Sequence, residues 1–210
     1  RRRQERRGYH RRRDVFTNDL EKNTEIRYPS NYISTTKYNP ITFLPKNLWE
    51  QFHRVANVFF VFVMVLTLLP TSPVIPGPQV AAVATILIFQ MVKDIVEDSR
   101  RKRSDVIINA KPAHVLCPES GEVKQRTWGD VKVGDILRVD NNCEIPADLL
   151  LLSSSRPSGE CFVETANLDG ETNLKRREAH PYTCDYDDGE KLKDLRVTVD
   201  ADEPNPKLYK

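Results

Sequence analysis

Four consecutive residues, Asp169-Gly170-Glu171-Thr172, combine two carboxylates, a hydroxyl and a residue without a Cβ. Residues of these types can carry out hydrolysis. Glu171 can position or deprotonate a water, and Thr172 can hydrogen-bond an oxyanion. Gly170 lets the backbone come close to a bound group. Asp-Gly is also a turn dipeptide, and standing alone the four residues read first as an exposed turn. No metal set competes with them. Cys117, Cys143, Cys161 and Cys184 are widely spaced with no C-x-x-C, which reads as reduced cytosolic thiols. The four histidines are scattered, so no metal ligands are expected. Neither a P-loop nor G-x-G-x-x-G occurs.

A loop of this kind needs a scaffold, and the residues before it read as short strands. His114-Val115-Leu116 is closed by a turn at 118–121. Strands are expected at 122–128, 136–139 and 160–164, with turns at Gly129-Asp130 and Gly134-Asp135. Turn signals every 8–12 residues indicate a β domain. The apolar run 149–152 suits a strand buried on both faces, although a short helical turn fits it too. Beyond Lys175 the chain is polar, and 182–190 resembles an acidic surface loop.

Upstream the composition changes sharply. The net charge is only +2, yet residues 1–13 hold eight arginines and Arg100-Arg101-Lys102-Arg103 forms a second basic block. Between them, 55–92 contains no charged residue. The mean hydropathy of -0.53 therefore averages a polar protein with one apolar insert. Leu48, Trp49, Phe52, Val55 and Phe59 recur at helical spacing, and Pro70, Pro73, Pro76 and Pro78 must interrupt the helix. Counting gives candidate spans at about 48–69 and 74–92, near the roughly 20 residues a bilayer needs. A buried hairpin in a soluble protein is the competing reading. Lack of charge and basic flanks favour the membrane, with both ends cytosolic, the proline loop outside and Trp49 at the interface. The helix continues to Asp105 as a charged stalk, with Glu97/Arg101 and Asp98/Lys102 at i,i+4.

The chain divides accordingly. Residues 1–13 form a basic disordered tail, suited to anionic lipid or simple solvation. Tyr9 and His10 among the arginines would suit nucleic acid less well than the arginines suit lipid or solvent, and no nucleic-acid partner is expected. Residues 14–47 read as an extended segment lying over something else, 48–109 as hairpin and stalk, and 110–210 as the β domain. The arginines at the start are not followed by the apolar region of a signal peptide.

Taken in order, these residues resemble a known family. Val133-Gly134-Asp135-Ile136, Ile145-Pro146-Ala147-Asp148 and Asp169-Gly170-Glu171-Thr172, after a hairpin and stalk, are similar to the actuator domain of P-type ATPases. D-G-E-T in place of T-G-E-S resembles the type IV class, the phospholipid flippases. Asn31-Tyr32-Ile33-Ser34-Thr35-Thr36-Lys37-Tyr38-Asn39 and Phe43-Leu44-Pro45-Lys46-Asn47-Leu48-Trp49-Glu50-Gln51-Phe52 look like the flippase amino-terminal signature. Lys93-Asp94 with Glu97-Asp98 resembles the end of the second span. Glu203-Pro204-Asn205 with Leu208-Tyr209 is similar to a later actuator segment.

The resemblance implies an α+β membrane protein: a two-helix transmembrane hairpin with a stalk, then an incomplete, mainly β, distorted jelly-roll-like actuator domain. It implies an ATP-driven phospholipid translocase cycling through an aspartyl phosphate, with ATP and Mg²⁺ bound by domains outside this chain. Glu171 would align and activate the hydrolytic water, Gly170 would permit close approach, and Asp169 and Thr172 would shape the loop. Lipid would move from the outer to the cytosolic leaflet of a eukaryotic endomembrane or plasma membrane. An aminophospholipid and a glycosylated two-span accessory subunit are the implied partners. Flippases selective for phosphatidylserine commonly carry Gln-Gln near the outer end of the first span; counting back from Pro70, that position is Thr67-Leu68 here, so the resemblance leaves the headgroup open. Thr67, Leu68 and Asn57 are the candidate lipid contacts. No Asp-Lys-Thr-Gly is present, so the chain is expected to be an inactive amino-terminal piece of a longer protein. Two other readings fit the same residues: the flippase-like half of a guanylate cyclase chimera, or a membrane-anchored actuator fold without catalysis.

Overall fold

The computed structural model describes residues 12–202 except 27, 71, 74 and 187. In chain order the elements are β1 (Arg12–Phe16), α1 (Leu20–Glu25), α2 (Phe43–Phe52), α3 (Val55–Thr67), α4 (Pro76–Asn109), β2 (Pro112–Leu116), β3 (Val123–Thr127), β4 (Leu137–Arg138), β5 (Glu160–Val163), α5 (Ala166–Asp169), β6 (Lys175–Glu178), α6 (Gly189–Lys193) and β7 (Thr198–Asp202). They form two units. One is β-rich and joins the chain before Ile33 to the chain after Asn109; the other is helical and spans Ile33–Asn109.

In the β-rich unit the strands make three small antiparallel sheets, ordered β1-β7, β3-β2-β4 and β5-β6. β2 alternates as a half-buried strand should, with Ala113 and Val115 inward and Pro112 and His114 outward. Ala113, Val115 and Val131 form one core cluster, flanked by Trp128 and Leu137. Leu116, Ile136 and Leu195 form a second, joined by Leu152, Tyr186, Leu192 and Val197. The polar stretch after Lys175 therefore supplies core residues, and Tyr186 of the expected surface loop 182–190 packs among them. The run 149–152 is not a strand: Leu149 and Leu150 are exposed, and Leu152 alone reaches the core. Among the described residues no strand pairs with it, and an isolated strand lacks the cross-strand bonds that would hold it.

The amino-terminal segment is built into this unit. Arg12 and Arg13 belong to β1, inside the expected tail, and pair with Asp202 and Ala201. Residues 1–11 of that tail, and the 203–209 motif, lie outside the described residues. Thr17 Oγ1 donates toward the carbonyls of Leu195 and Val197 and accepts the Val197 N–H at 2.8 Å. Buried Asn23 holds the Phe16 N–H at 3.0 Å and reaches the Phe16 and Val133 carbonyls. This contact explains Gly134. Its φ is +91°, and a Cβ there would stand 2.2 Å from Asn23 Nδ2 and 2.5 Å from the Phe16 carbonyl oxygen.

In the helical unit the expected span 48–69 is not one helix. It breaks at His53-Arg54, where Asn57 Nδ2 donates to the Gln51 carbonyl at 3.0 Å and so satisfies a group at the end of α2. α3 has 13 residues. The second span and the stalk are a single helix, α4, of 34 residues, which is long and apolar enough to cross a membrane. Pro76 and Pro78 sit in its first turn, where the absent N–H has no intrahelical partner to lose.

Two sets of polar contacts hold the helices. Asn47 Nδ2 donates to Asp94 Oδ2 at 2.7 Å, Gln51 Nε2 to Asn47 Oδ1 at 2.7 Å, and Asn57 Nδ2 to Gln90 Oε1 at 3.1 Å. Farther along α4, Asp98, Asp105 and Asn109 accept the N–H groups of Lys37, Thr35 and Ile33 at 2.7, 2.7 and 2.8 Å. Spacings of 7 and 4 put these acceptors on one helix face, and alternate N–H groups of an extended segment meet them. Glu97 pairs with Arg101 as the spacing suggests, while Asp98 turns to the segment instead of serving only as a helix-surface charge.

Candidate functional site

β5 and β6 pair with Val163 opposite Lys175 and Glu160 opposite Glu178. The connection, 164–174, carries the acidic loop. It opens with the single helical turn α5, which ends at Gly170 with φ +76° and its N–H on the Ala166 carbonyl at 3.0 Å. An L residue in that left-handed region costs roughly 1–2 kcal/mol. No atom lies within 4 Å of where a Gly170 Cβ would stand. Conformation therefore demands the glycine, and the space beside it is open to an incoming group.

Asp169 organises the loop. Thr165 Oγ1 donates to its two oxygens at 3.0 and 2.9 Å, the Glu171 N–H to Oδ1 at 2.9 Å, and Lys175 Nζ to Oδ2 at 2.6 Å. Its side chain is only 8% exposed. Oxygens occupied by this donor set brace a turn; they are poorly placed to receive a proton from water. Glu171 differs. Its side chain is 54% exposed, and its Oε2 is 2.9 Å from Lys175 Nζ. Thr172 follows, also exposed. Asp169, and then Glu171, hydrogen-bond the Lys175 ammonium and push its pKa up from 10.5 to about 12. The fold thus gathers Asp169, Gly170 and Glu171 into one turn, with Asp169 inside, Glu171 at the surface and Thr172 beside it.

The other three candidates lie in the helical unit and do not form one site. Asn57 lies in the first turn of α3 and Thr67 ends it, about 15 Å apart along the axis at 1.5 Å per residue. Asn57 is buried in the polar ladder. Thr67 Oγ1 donates to the Met64 carbonyl at 2.7 Å, and Leu68 is exposed at the helix cap.

Sequence reasoning gave no role to Thr165 or Lys175, the two partners that fix Asp169. The signal was present as a lysine four residues past Glu171 and six past Asp169. It was hard to use because 170–174 is not helical, so i,i+4 spacing promised no contact there. Asn47/Gln51 and Gln90/Asp94 gave a clearer sign: paired polar residues at i,i+4 beside or within an apolar run.

Residues 15–80 match the family model for the phospholipid-translocating ATPase N-terminal region. Residues 108–191 match that for the P-type ATPase actuator domain. The chain is 45% identical over 199 residues to the Arabidopsis thaliana probable phospholipid-transporting ATPase 5, and 44% identical over 199 residues to the human phospholipid-transporting ATPase ID. It is 39% identical over 198 residues to the phospholipid-transporting ATPase DRS2 of Saccharomyces cerevisiae. In each case 94% of this chain aligns, but it spans only 15–16% of the relative's length. With both models matched in order and these identities sustained along nearly its whole length, the chain belongs to the type IV, phospholipid-transporting family of P-type ATPases.

Proposed function

We propose that this chain supplies the dephosphorylating loop and the first membrane hairpin of an ATP-driven phospholipid flippase. The observation that carries the reading is the unequal pair of acids: Asp169 enclosed as a brace, Glu171 presented to solvent on an open turn. In a full-length protein carrying this chain, Glu171 meets an aspartyl phosphate formed in another domain. Glu171 orients a water and accepts its proton as the water oxygen bonds to phosphorus. The aspartate carboxylate leaves, and inorganic phosphate is released. ATP with Mg²⁺ would supply the phosphoryl group. The residues of this loop do not fit either ligand, because the Asp169 oxygens are already taken by a hydroxyl, an N–H and an ammonium, and Glu171 is paired with that same ammonium. No residue of this chain is assigned to hold them.

Membrane residence is supported by what the helical unit encloses. Asn47 and Gln51 are 0% and 1% exposed, while Phe59 and Phe89 lie mostly uncovered. Polar groups inside and apolar groups outside suit a hydrocarbon surround, where buried polar side chains pair with one another. α3 alone, at about 20 Å, is shorter than the roughly 30 Å hydrocarbon core, so the first crossing includes residues flanking it. We place both ends of the hairpin in the cytosol and the proline loop outside. Thr67 and Leu68 are the proposed lipid contacts near the outer end of α3; Asn57, buried and hydrogen-bonded to the Gln51 carbonyl and to Gln90, holds the helices together instead. A two-span glycosylated subunit is the proposed companion, and movement runs toward the cytosolic leaflet.

The test is transport. A full-length protein reconstituted in proteoliposomes should move labelled phospholipid on ATP addition, and Glu171→Gln should abolish the movement. Equal transport by wild type and Glu171→Gln would overturn the reading.

A further inference from the structure

Lys175 places a single ammonium between the two carboxylates of the loop, with Nζ 2.6 Å from Asp169 Oδ2 and 2.9 Å from Glu171 Oε2. The three side chains are anchored very differently. Asp169 is enclosed and also holds the Thr165 hydroxyl and the Glu171 N–H. Lys175 opens β6, and its backbone is fixed opposite Val163 of β5. Its stem therefore rises from a sheet, and its head is already held by an enclosed acid. Glu171 has no strand under it. It follows a left-handed glycine on a turn whose flank is open. A carboxylate in that place has many rotamers available, and ordering it costs on the order of 1–2 kcal/mol in side-chain entropy. The ion pair supplies that order before any substrate arrives.

We propose that Lys175 is a positioning residue for hydrolysis of the aspartyl phosphate: tied to Asp169, it fixes the Glu171 carboxylate through Oε2 and leaves Oε1 to orient the water. The inference rests on the reading of Glu171 as the group that orients that water. The pair's importance is geometric. Exposed ion pairs contribute little stability, whereas displacing a reacting group by about 1 Å can cost up to 100-fold in rate. Thr165 and Asp169 then form the base on which Lys175 stands, which gives the enclosed acid a purpose distinct from that of Glu171.

The experiment compares phosphoenzyme decay in a purified full-length protein, labelled with radioactive ATP and then chased. Wild type, Lys175→Met, Lys175→Arg, Glu171→Gln and the Lys175→Met/Glu171→Gln double variant are measured. Lys175→Met should reach the wild-type level of phosphoenzyme yet lose it about 10-fold more slowly, and Lys175→Arg should recover most of the rate. In the Glu171→Gln background, Lys175→Met should add no further slowing, because its effect passes through Glu171. Wild-type decay in Lys175→Met, with Glu171→Gln still trapped, overturns the role of Lys175 alone. So does slowing in the double variant that multiplies the two single effects. Wild-type decay in Glu171→Gln overturns the underlying reading of the loop. Should Lys175→Met form too little phosphoenzyme to follow, Lys175→Gln is judged by the same criteria.

Discussion

In the helical unit the most enclosed side chains are Asn47 and Gln51; in the β-rich unit they include Val115, Leu116 and Leu195. The apolar bulk of the helical unit, including Phe59, Phe62, Ile88 and Phe89, faces outward. Among the described residues, Val83 is its buried apolar exception, and Thr17, Asn23 and Thr183 are the buried polar residues of the β-rich unit. The same forces give both patterns once the surroundings differ. Water drives apolar groups inward. In the proposed membrane setting hydrocarbon provides no such drive, so polar side chains pair with one another and the apolar face of this chain is left for lipid or for further parts of a longer protein. One chain thus holds two interiors of opposite polarity, and substitutions should separate them.

The largest effect is expected in the apolar interior. Val115→Asp, at a position 1% exposed, should cost more than about 4 kcal/mol and unfold the β-rich unit, visible as protease sensitivity of a full-length protein. Asn47→Ala comes next. It strands the partners on Asp94 and Gln51 and should cost about 1–3 kcal/mol, read as a lower Tm in detergent. Phe59→Ala should be nearly silent. In a water-facing protein's core that truncation costs roughly 3–5 kcal/mol, but Phe59 is 59% exposed. A loss below about 1 kcal/mol is expected where lipid meets this face, and a loss of several kcal/mol would mean that the rest of a longer protein covers it.

The smallest effect concerns pH. The folded-state pKa of Lys175 lies above its ordinary value, so its contribution is complete below pH 10.5 and is lost as pH rises from 10.5 through about 12. Loop resonances should therefore stay unchanged across the neutral range and shift only in that alkaline window. A neutral-range titration of the loop that disappears in Lys175→Met would contradict the assignment.

Much of this organisation was legible in the sequence because it is carried by local signals. The charge-free run 55–92, the proline cluster and the order of the V-G-D-I, I-P-A-D and D-G-E-T motifs marked out the helical and β-rich regions and picked out the loop. What escaped depends on contacts between distant residues. The break at His53-Arg54 has no glycine or proline to announce it; Asn57 reaching back to Gln51 ends the helix. The run 149–152 looked like a central strand, but a strand needs a neighbour, and periodicity says nothing of whether one exists. Gly134 read as a turn, yet the pressure on it comes from Asn23 and Phe16, over a hundred residues away. At the loop, residue types named Asp169 and Glu171 together. Only the fold separated them into a brace and an exposed carboxylate, with Lys175 between.

That separation is tested most directly by the lifetime of the phosphoenzyme in a full-length protein. After labelling and a chase with phospholipid present, the wild-type phosphoenzyme should decay promptly, while that of Glu171→Gln should persist at least about 100-fold longer, the scale set by losing a general base. Decay of Glu171→Gln at the wild-type rate would contradict the account.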